Sequence, residues 1–227
     1  IIATRDALLD LDSTIIISCD TMWQGITLTE DSKLKARNHS SIQDAVIGAE
    51  MLDASQVLLE QSEIINSVRG VKVVGPIGST FPGYLIISEA IFGMFSSSFK
   101  PNYTGQPAHG VLPYAGIDMN DAVMYLGDAG IPSYFYRMNK GIVGLRTLMK
   151  IHNCKFNGIT FDKFYHTDSD GSAIVIEGDI NLTPAYLHLL PANYPDTTIL
   201  NCHRGVYNNY SDLILQYCIM DNVRTGV

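Results

Sequence analysis

One pattern of apolar, small, amide and glycine positions recurs along the chain, and it limits the folds that the chain can adopt. The windows 59–71 and 215–227 share this pattern, and the window 40–49 shares most of it about 22 residues before the first. The matched positions are Leu59/Leu215, Ser62/Cys218, Ile64/Met220, Asn66/Asn222, Gly70/Gly226 and Val71/Val227, with Ser40, Ile42, Asp44, Gly48 and Ala49 in the third window. A short repeat of this kind is typical of a β-solenoid, in which each repeat forms one coil.

Weaker copies of the pattern continue into the second half of the chain. They read Ile151-x-x-Cys154-x-Phe156-x-Gly158-Ile159 and Ile199-x-x-Cys202-x-x-Gly205-Val206. A coil of short strands can bury its side chains only by stacking on neighbouring coils. We therefore predict an all-β fold, a right-handed parallel β-helix over residues 1–227 with long loops from the coil corners. The alternative is a chance alignment of short apolar runs in another all-β fold.

The alignment also predicts which side chains face inward. The residues expected to share one continuous core are Ile42, Ile64, Ile151 and Met220. Asp44 and Asn66 are expected at bends, because Asp and Asn accept turn conformations more readily than most residues.

Composition excludes several functional classes. With 227 residues, of which 46% are hydrophobic and 17% charged, the chain can bury a sizeable core and does not resemble a disordered segment. A formal net charge of −8, with scattered basic residues, argues against nucleic acid or an anionic membrane as the main partner. No apolar run is long enough to span a membrane, since even the run at 84–92 contains Ser88 and Glu89.

Both ends of the sequence predict a piece of a longer protein. The chain begins Ile1-Ile2-Ala3 without a start methionine or a signal peptide, and Gly226-Val227 lies inside a coil pattern. We expect uncapped terminal coils, and we expect such coils to associate end to end in the isolated chain.

The N-terminal half carries the more specific resemblance. Its motifs are Cys19-x-x-Met22-Trp23-Gln24-Gly25-Ile26, Lys33-Leu34 and Ser41-Ile42-Gln43-Asp44-Ala45, followed by Asn102-Tyr103-Thr104-Gly105-Gln106, Ala115-Gly116-Ile117, Leu126-Gly127-Asp128 and Asn139-Lys140-Gly141-Ile142. In this order they resemble the parallel β-helix repeats of large secreted proteins of the Bacteroidetes, many of which carry a sorting domain for the type IX secretion system. The resemblance implies an extracellular or cell-surface location and export by that machinery. It implies no catalytic residue, and no sorting domain is present in this sequence.

The density of glycine and proline divides the chain into three parts. Residues 1–71 and 141–227 predict regular coils, whereas 72–140 predict coils with long loop insertions. Loops from a repeat scaffold commonly carry its function. In this region Tyr134-Phe135-Tyr136 is either an aromatic contact patch in a loop or a set of rings that fixes the loop to the protein.

Three groups of residues could carry chemistry, and each has a structural alternative. Asp168-Ser169-Asp170-Gly171 offers oxygen ligands for calcium, or it is an ordinary Asp-Gly turn. The pair Asp118 and Asp121, and the set His203, Arg204 and Asp212, could act as acid, base and substrate clamp in a polysaccharide-cleaving enzyme. Such pairs also arise by chance in a chain with 23 acidic residues, so we assign no catalytic, cofactor-binding or metal-binding residue and no cofactor.

The cysteines predict a structural role. Cys154, Cys202 and Cys218 each follow an apolar residue at the same offset, so we expect them to share one coil position and to stack. Neighbouring coils lie about 4.8 Å apart, within reach of disulfide geometry, but free buried thiols that fill a small space in the core are the more frequent case. Cys19 has no evident partner, and no C-x-x-C motif is present.

Two functions from different classes fit this sequence. The first is a non-catalytic surface module, a stiff spacer or adhesin-like segment that binds a glycan or a partner protein. The second is a polysaccharide-cleaving β-helix enzyme, a lyase or a hydrolase. A run of acidic and basic residues at one face position on consecutive coils would favour the enzyme, and the sequence shows no such run, so the first function is favoured. A phage tailspike-type receptor-binding protein is a further alternative.

Overall fold

The computed structural model describes residues 1–75, 83–101, 110–127, 130–179, 185–189, 197–216 and 218–227. Within these residues the chain forms parallel strands and no helix. The segments 76–82 and 102–109, which contain glycine and proline and were expected to form long loops, lie outside the described residues, as does Asp128 of the Leu126-Gly127-Asp128 motif.

The strands, numbered in chain order, form three parallel sheets of eight strands each. Sheet A contains β1 (Ile2–Ala3), β4 (Trp23–Leu28), β7 (Ala45–Leu52), β10 (Arg69–Val74), β13 (Ala115–Asn120), β16 (Lys140–Leu145), β19 (Ser172–Glu177) and β22 (Arg204–Asn209). Sheet B contains β2 (Leu8–Asp12), β5 (Lys33–Arg37), β8 (Gln56–Glu60), β11 (Gly83–Ser88), β14 (Ala122–Leu126), β17 (Leu148–Ile151), β20 (Ala185–Leu189) and β23 (Ser211–Leu215). Sheet C contains β3 (Ile15–Ile16), β6 (Ser41–Gln43), β9 (Glu63–Ile65), β12 (Ile91–Gly93), β15 (Ser133–Met138), β18 (Cys154–Ile159), β21 (Thr197–Leu200) and β24 (Cys218–Asp221).

Each coil takes one strand from every sheet in the order A, B, C, so the described strands build coils 1 to 8 of a right-handed parallel β-helix. The predicted fold class is confirmed. The register matches the sequence alignment, because Ile42 pairs with Ile64 and Ala49 pairs with Val71. One ladder in sheet B joins Leu59, Ile87, Leu126, Ile151, Leu189 and Leu215.

The core follows from these ladders, since every second side chain of a strand points into the coil. Ile42, Ile64 and Ile151 are buried in one continuous apolar cluster, as predicted. Met220 packs against the same cluster but is only partly buried, because among the described strands β24 has a neighbour on one side only.

A stack of phenylalanine rings occupies the centre of the core. Phe135 lies between Phe92 and Phe156, with ring centroids 5.1 and 4.7 Å apart and nearly parallel planes. The facing positions of sheet A are glycines, and a Cβ at Gly141 would lie 2.7 Å from the Phe156 ring. These sheet A positions are glycines because a Cβ atom would overlap the phenylalanine rings.

The bends between strands use the residues that the sequence analysis indicated. Asp44 and Asn66 have φ of +58° and +53°, which confirms their predicted place at bends. Gly25 has φ of +110° and lies at a register shift beside the only tryptophan, and a Cβ there would lie 1.6 Å from the Ile47 carbonyl oxygen. Glycine is therefore required at this position.

Two long connections leave the corner between sheets C and A. The first joins β12 to β13 through residues 94–114, of which 94–101 and 110–114 are described, and we call it the first corner loop. It reaches back to coil 2, where the Lys100 Nζ lies 2.7 Å from the Asp44 carboxylate. The second corner loop, residues 160–171, joins β18 to β19 in a region where only regular coils were expected. Asp162 connects the loops, since its Oδ2 accepts hydrogen bonds from the amides of Val111 and Leu112 at 2.8 and 2.9 Å.

The predicted stack of three cysteines is wrong. Cys154 and Cys218 occupy one position of sheet C, but Thr197 lies between them. Cys202 follows β21 and lies at the corner between sheets C and A. An apolar residue followed by a turn occurs at more than one corner of the coil. The spacing from Ile199 therefore aligned Cys202, which follows a strand of sheet C, with two cysteines that begin strands of that sheet. All four cysteines are free thiols. Burial raises the pKa of the Cys202 thiol to about 11, and it also raises the pKa of the fully buried Cys154 thiol.

Candidate functional site

The outer face of sheet C carries a groove lined mainly by apolar and aromatic side chains. It has a volume of about 380 Å³ and is lined by Ile91, Phe95, Tyr134, Phe135, Tyr136, Lys155, Asn157 and Leu200. Its floor is formed by β12, β15, β18 and β21, and Phe95 closes one side from the first corner loop. We call it the aromatic groove.

The aromatic groove results from the alternation of side chains along β15. Phe135 points inward to the phenylalanine stack, so Tyr134 and Tyr136 must point outward, and each is 37% exposed. Phe95 is 54% exposed, and its ring centroid lies 5.7 Å from that of Tyr136. The loop predicted for these tyrosines is wrong, because Tyr-Phe-Tyr is also the pattern of a strand with aromatic residues on both faces. The rings are therefore held on a rigid strand.

Two polar side chains of coil 6, Lys155 and Asn157, border the aromatic groove. The Lys155 Nζ lies 5.5 Å from the centroid of the Tyr134 ring. Asn157, Asn201 and Asn222 form a ladder in which each later amide donates to the side-chain oxygen of the preceding one, at 2.9 and 2.7 Å. Amide groups of this kind can donate to and accept from hydroxyl groups.

A second cavity adjoins the aromatic groove at the corner between sheets B and C. This corner pocket has a volume of about 290 Å³ and is lined by His39, Gln61, Ser62, Glu63, Glu89, Ile91 and Ile131. Ile91 lines both cavities, so the two are neighbours on the surface.

The corner pocket is acidic. Glu63 accepts a hydrogen bond from the Ser41 hydroxyl at 2.7 Å, and Glu89 accepts one from the Gln61 amide at 2.8 Å. Neither carboxylate forms an ion pair with any of the residues that the structure describes. The buried hydroxyl of Ser62 has no hydrogen-bond partner in the described part of the chain.

The outer face of sheet A carries the charged run that the sequence analysis did not find. Glu50, Lys72 and Asp118 occupy one position on coils 3, 4 and 5. The Lys72 Nζ lies 2.8 Å from Glu50, and the Arg69 Nε lies 2.9 Å from Asp118. The first corner loop separates Lys72 from Asp118 in sequence, so a fixed repeat length cannot align them.

Beside this run, both corner loops pack over a buried ion pair. The Lys140 Nζ lies 3.3 Å from Asp170, and these side chains are 2% and 1% exposed. Lys140 also donates to the Thr167 hydroxyl at 2.7 Å and lies 4.8 Å from the centroid of the Tyr114 ring. The Arg69 guanidinium carbon lies 4.4 Å from the same centroid, so two cations lie close to the Tyr114 ring.

Burial governs the ionisation of this cluster. It raises the pKa of Tyr114 and of Tyr165 to about 12, and it lowers the pKa of Lys140 although the Asp170 charge opposes that shift. Burial by itself would raise the pKa of Asp170, but hydrogen bonds from Thr167 and Asn139, together with the Lys140 charge, hold it below its usual range.

The calcium hypothesis for Asp168 and Asp170 does not fit these contacts. The Asp170 carboxylate accepts hydrogen bonds from the Thr167 amide and hydroxyl and from Asn139, at 2.6 to 2.9 Å. A calcium ion would have to displace both these donors and the ammonium group of Lys140. The segment is a turn that ends at Gly171, with φ of +76°. The described residues contain no cluster of three or more His, Cys, Asp or Glu side chains placed to hold a metal ion.

The other two candidate sets are not assembled into sites. Asp118 pairs with Arg69, whereas Asp121 forms a two-point pair with Arg146 at 2.8 and 2.6 Å. Arg204 begins β22 of sheet A and donates to the Asp168 carbonyl oxygen, and Asp212 lies on β23 of sheet B. His203 precedes β22 and lines an open cavity together with Cys202 and Arg224.

Comparison with known proteins adds no family to this description. No family model, no curated protein and no solved structure matches the chain. The described part of the chain also contains no helix that is long and apolar enough to cross a membrane.

Proposed function

We propose that the chain is a stiff, non-catalytic module of an extracellular or cell-surface protein and that it binds a glycan in the aromatic groove of sheet C. The observation that carries this proposal is the set of three exposed rings, Phe95, Tyr134 and Tyr136, held along one depression. Exposed apolar surface on a rigid scaffold is characteristic of binding sites. The resemblance to exported Bacteroidetes proteins supports the location and the type IX route, and both belong to the proposal.

The chemistry of the groove suits a sugar chain. One face of a sugar ring presents C–H groups, which pack on an aromatic ring, while its hydroxyls bind amides at the edge. Tyr134 and Tyr136 are two residues apart on one strand, which places their Cα atoms about 6.8 Å apart. Asn157, the first amide of the asparagine ladder, supplies a side-chain amide at the edge of the groove.

The test combines a glycan array with calorimetry on variants. Tyr134→Ala/Tyr136→Ala should weaken binding of the best array ligand about tenfold or more, because two stacking contacts are lost. Tyr84→Ala/Tyr125→Ala is the matched control, since these rings form a pair on sheet B, 5.6 Å apart, in which Tyr84 is exposed and Tyr125 is half-buried. Absence of any array ligand, or equal loss in both double variants, would contradict the proposal.

A polysaccharide-cleaving enzyme is the second candidate, and the charged run on sheet A is the observation that favours it. In this arrangement Asp118 and Glu50 would supply carboxylates, and Arg69 and Lys72 would bind an acidic substrate. Each carboxylate is already paired with a cation, which makes it a poor proton acceptor. A turnover assay on pooled polysaccharides decides between the two, with Asp118→Asn as the variant that should abolish any cleavage.

A further inference from the structure

The outer face of sheet B is apolar on its middle coils and carries charges near its two ends. We infer that this face, from coil 2 to coil 8, binds the same face of a second copy of the chain in an antiparallel dimer with twofold symmetry. The dimer goes beyond the proposed function, because the aromatic groove lies on sheet C.

The apolar part of the face follows from the register of sheet B. Two outward positions of the sheet hold mainly apolar and aromatic side chains on coils 3 to 7. They are Leu58 on coil 3, Tyr84 and Ile86 on coil 4, Val123 and Tyr125 on coil 5, Leu148 on coil 6 and Tyr186 on coil 7, and the remaining places are taken by Gln56, Lys150 and His188. Tyr84, Ile86 and Leu148 are 37%, 41% and 37% exposed. Contiguous apolar surface of this kind is characteristic of an interaction site.

Tyr125 joins these side chains into one surface at the middle of the face. Its ring centroid lies 5.6 Å from that of Tyr84 and 5.3 Å from the Lys150 Nζ. A lysine held near a ring presents its aliphatic stem beside that ring. The middle of the face therefore stays largely apolar although Lys150 lies within it.

The same outward positions carry charges of opposite sign towards the two ends of the face. Lys33 and Lys35 occupy them on coil 2, and Asp212 occupies the first of them on coil 8. None of these three side chains forms an ion pair with a residue that the structure describes. Arg37, at the third outward position of coil 2, is instead paired with two aspartates of coil 1.

A half turn makes this face complementary to itself. When the twofold axis runs along the strand of coil 5, coil 2 of one copy faces coil 8 of the other, and coil 4 faces coil 6. Lys33 then lies opposite Asp212 of the partner subunit, and this contact occurs twice. Tyr84 lies opposite a leucine, and Val123 lies opposite its own copy. An axis along the solenoid would instead bring the basic side chains of coil 2 together, so the charges favour the antiparallel arrangement.

The face is large enough for a dimer. Strands of about five residues are about 17 Å long, and seven strands spaced about 4.8 Å apart cover about 34 Å. The contact therefore covers roughly 600 Å² per copy, or about 1,200 Å² in total, which reaches the lower end of the range for stable interfaces. We expect a dimer that forms reversibly as the concentration rises.

Sedimentation velocity over about a hundredfold range of concentration tests the dimer. The unaltered chain should shift from the mass of one chain to that of two and no further, because a twofold contact closes on itself. Val123→Asp should weaken the dimer at least about tenfold, since it places two carboxylates opposite each other at the centre of the contact. Val143→Asp is the matched control, because it makes the same substitution at a half-buried position on the outer face of sheet A, and it should retain the dimer.

Charge reversal tests the register of the two copies. Lys33→Glu alone, or Asp212→Lys alone, should weaken the dimer about tenfold, because like charges then face each other at two places. Lys33→Glu/Asp212→Lys should restore it, since the same pairs form with their signs exchanged. Both side chains are exposed, so the core keeps its packing, and circular dichroism melts verify that each variant is folded.

The outcomes separate the dimer from other associations and from glycan binding. A monomer at every concentration overturns the inference, and so does equal weakening by Val123→Asp and Val143→Asp. Growth beyond two chains would show end-to-end association of the coils and overturns it as well. Failure of Lys33→Glu/Asp212→Lys to restore the dimer overturns the antiparallel arrangement.

The variants of the aromatic rings keep the two proposals apart. Tyr84→Ala/Tyr125→Ala should weaken the dimer and retain glycan binding, whereas Tyr134→Ala/Tyr136→Ala should retain the dimer and weaken glycan binding. A dimer that Tyr84→Ala/Tyr125→Ala leaves intact overturns the inference. Loss of glycan binding in that variant, with the unaltered chain monomeric, would assign the face of sheet B to a glycan instead of a second copy.

Discussion

Replacement of Phe135 by alanine should test how the coils hold together. Phe135 is fully buried and is the central ring of the stack, with Phe92 and Phe156 at 5.1 and 4.7 Å. Truncating a buried phenylalanine to alanine costs about 3–5 kcal/mol, since both apolar burial and packing are lost. Phe135 also forms two stacked pairs, each worth about 0.5–1.5 kcal/mol beyond burial, so we expect the upper half of that range.

The measurement is guanidinium unfolding followed by two signals. Far-ultraviolet circular dichroism reports on all three sheets, whereas the fluorescence of Trp23, the only tryptophan, reports on coil 2. If the coils unfold as one unit, both midpoints should fall together. If coils 4 to 6 unfold separately, only the dichroism midpoint should fall, as repeat architectures allow.

Tyr134→Ala is the matched control, because it removes a neighbouring ring from the outer face of the same strand. We expect it to cost less than about 1 kcal/mol, as is usual for exposed positions. A loss of stability for Phe135→Ala no larger than that for Tyr134→Ala would refute the assignment of the phenylalanine stack to the core.

The remaining predictions concern ionisation and thiol access. The folded-state pKa of Asp170 is depressed, so its contribution to stability is complete above its unfolded pKa of about 3.9 and is lost as the pH falls through the lower folded value. Asp170→Asn should therefore flatten the acid limb of a plot of stability against pH between about pH 4 and pH 2, and an unchanged acid limb would contradict this account. Cys19 is exposed whereas Cys154 is fully buried with a raised pKa, so a thiol reagent should label Cys19 in the native protein and Cys154 only after unfolding. Mass spectrometry after brief labelling checks this order, and early labelling of Cys154 would show that its coil opens.

The sequence predicted the coil because the repeat is local and its chemistry is direct. A buried apolar ladder needs an apolar residue at each coil, as at Leu59, Ile151 and Leu215, and a bend in a left-handed backbone conformation needs a residue such as Asp44 or Asn66. The inward or outward direction of each side chain follows from the alternation of side chains along a strand. These features depend on a residue and its near neighbours, so the order of residues alone reveals them.

The surfaces that carry the proposed functions depend instead on which coils become neighbours. Corner loops of unequal length change the spacing between stacked residues, so the sequence alone could not place Lys72 beside Asp118 or Ile91 between Glu63 and Tyr134. For the same reason, the sequence alone did not show that Thr197 lies between Cys154 and Cys218, or that Cys202 lies at a different corner. The residues of a single coil determine its shape, whereas a groove across several coils depends on the register of the stack, which only the tertiary structure decides.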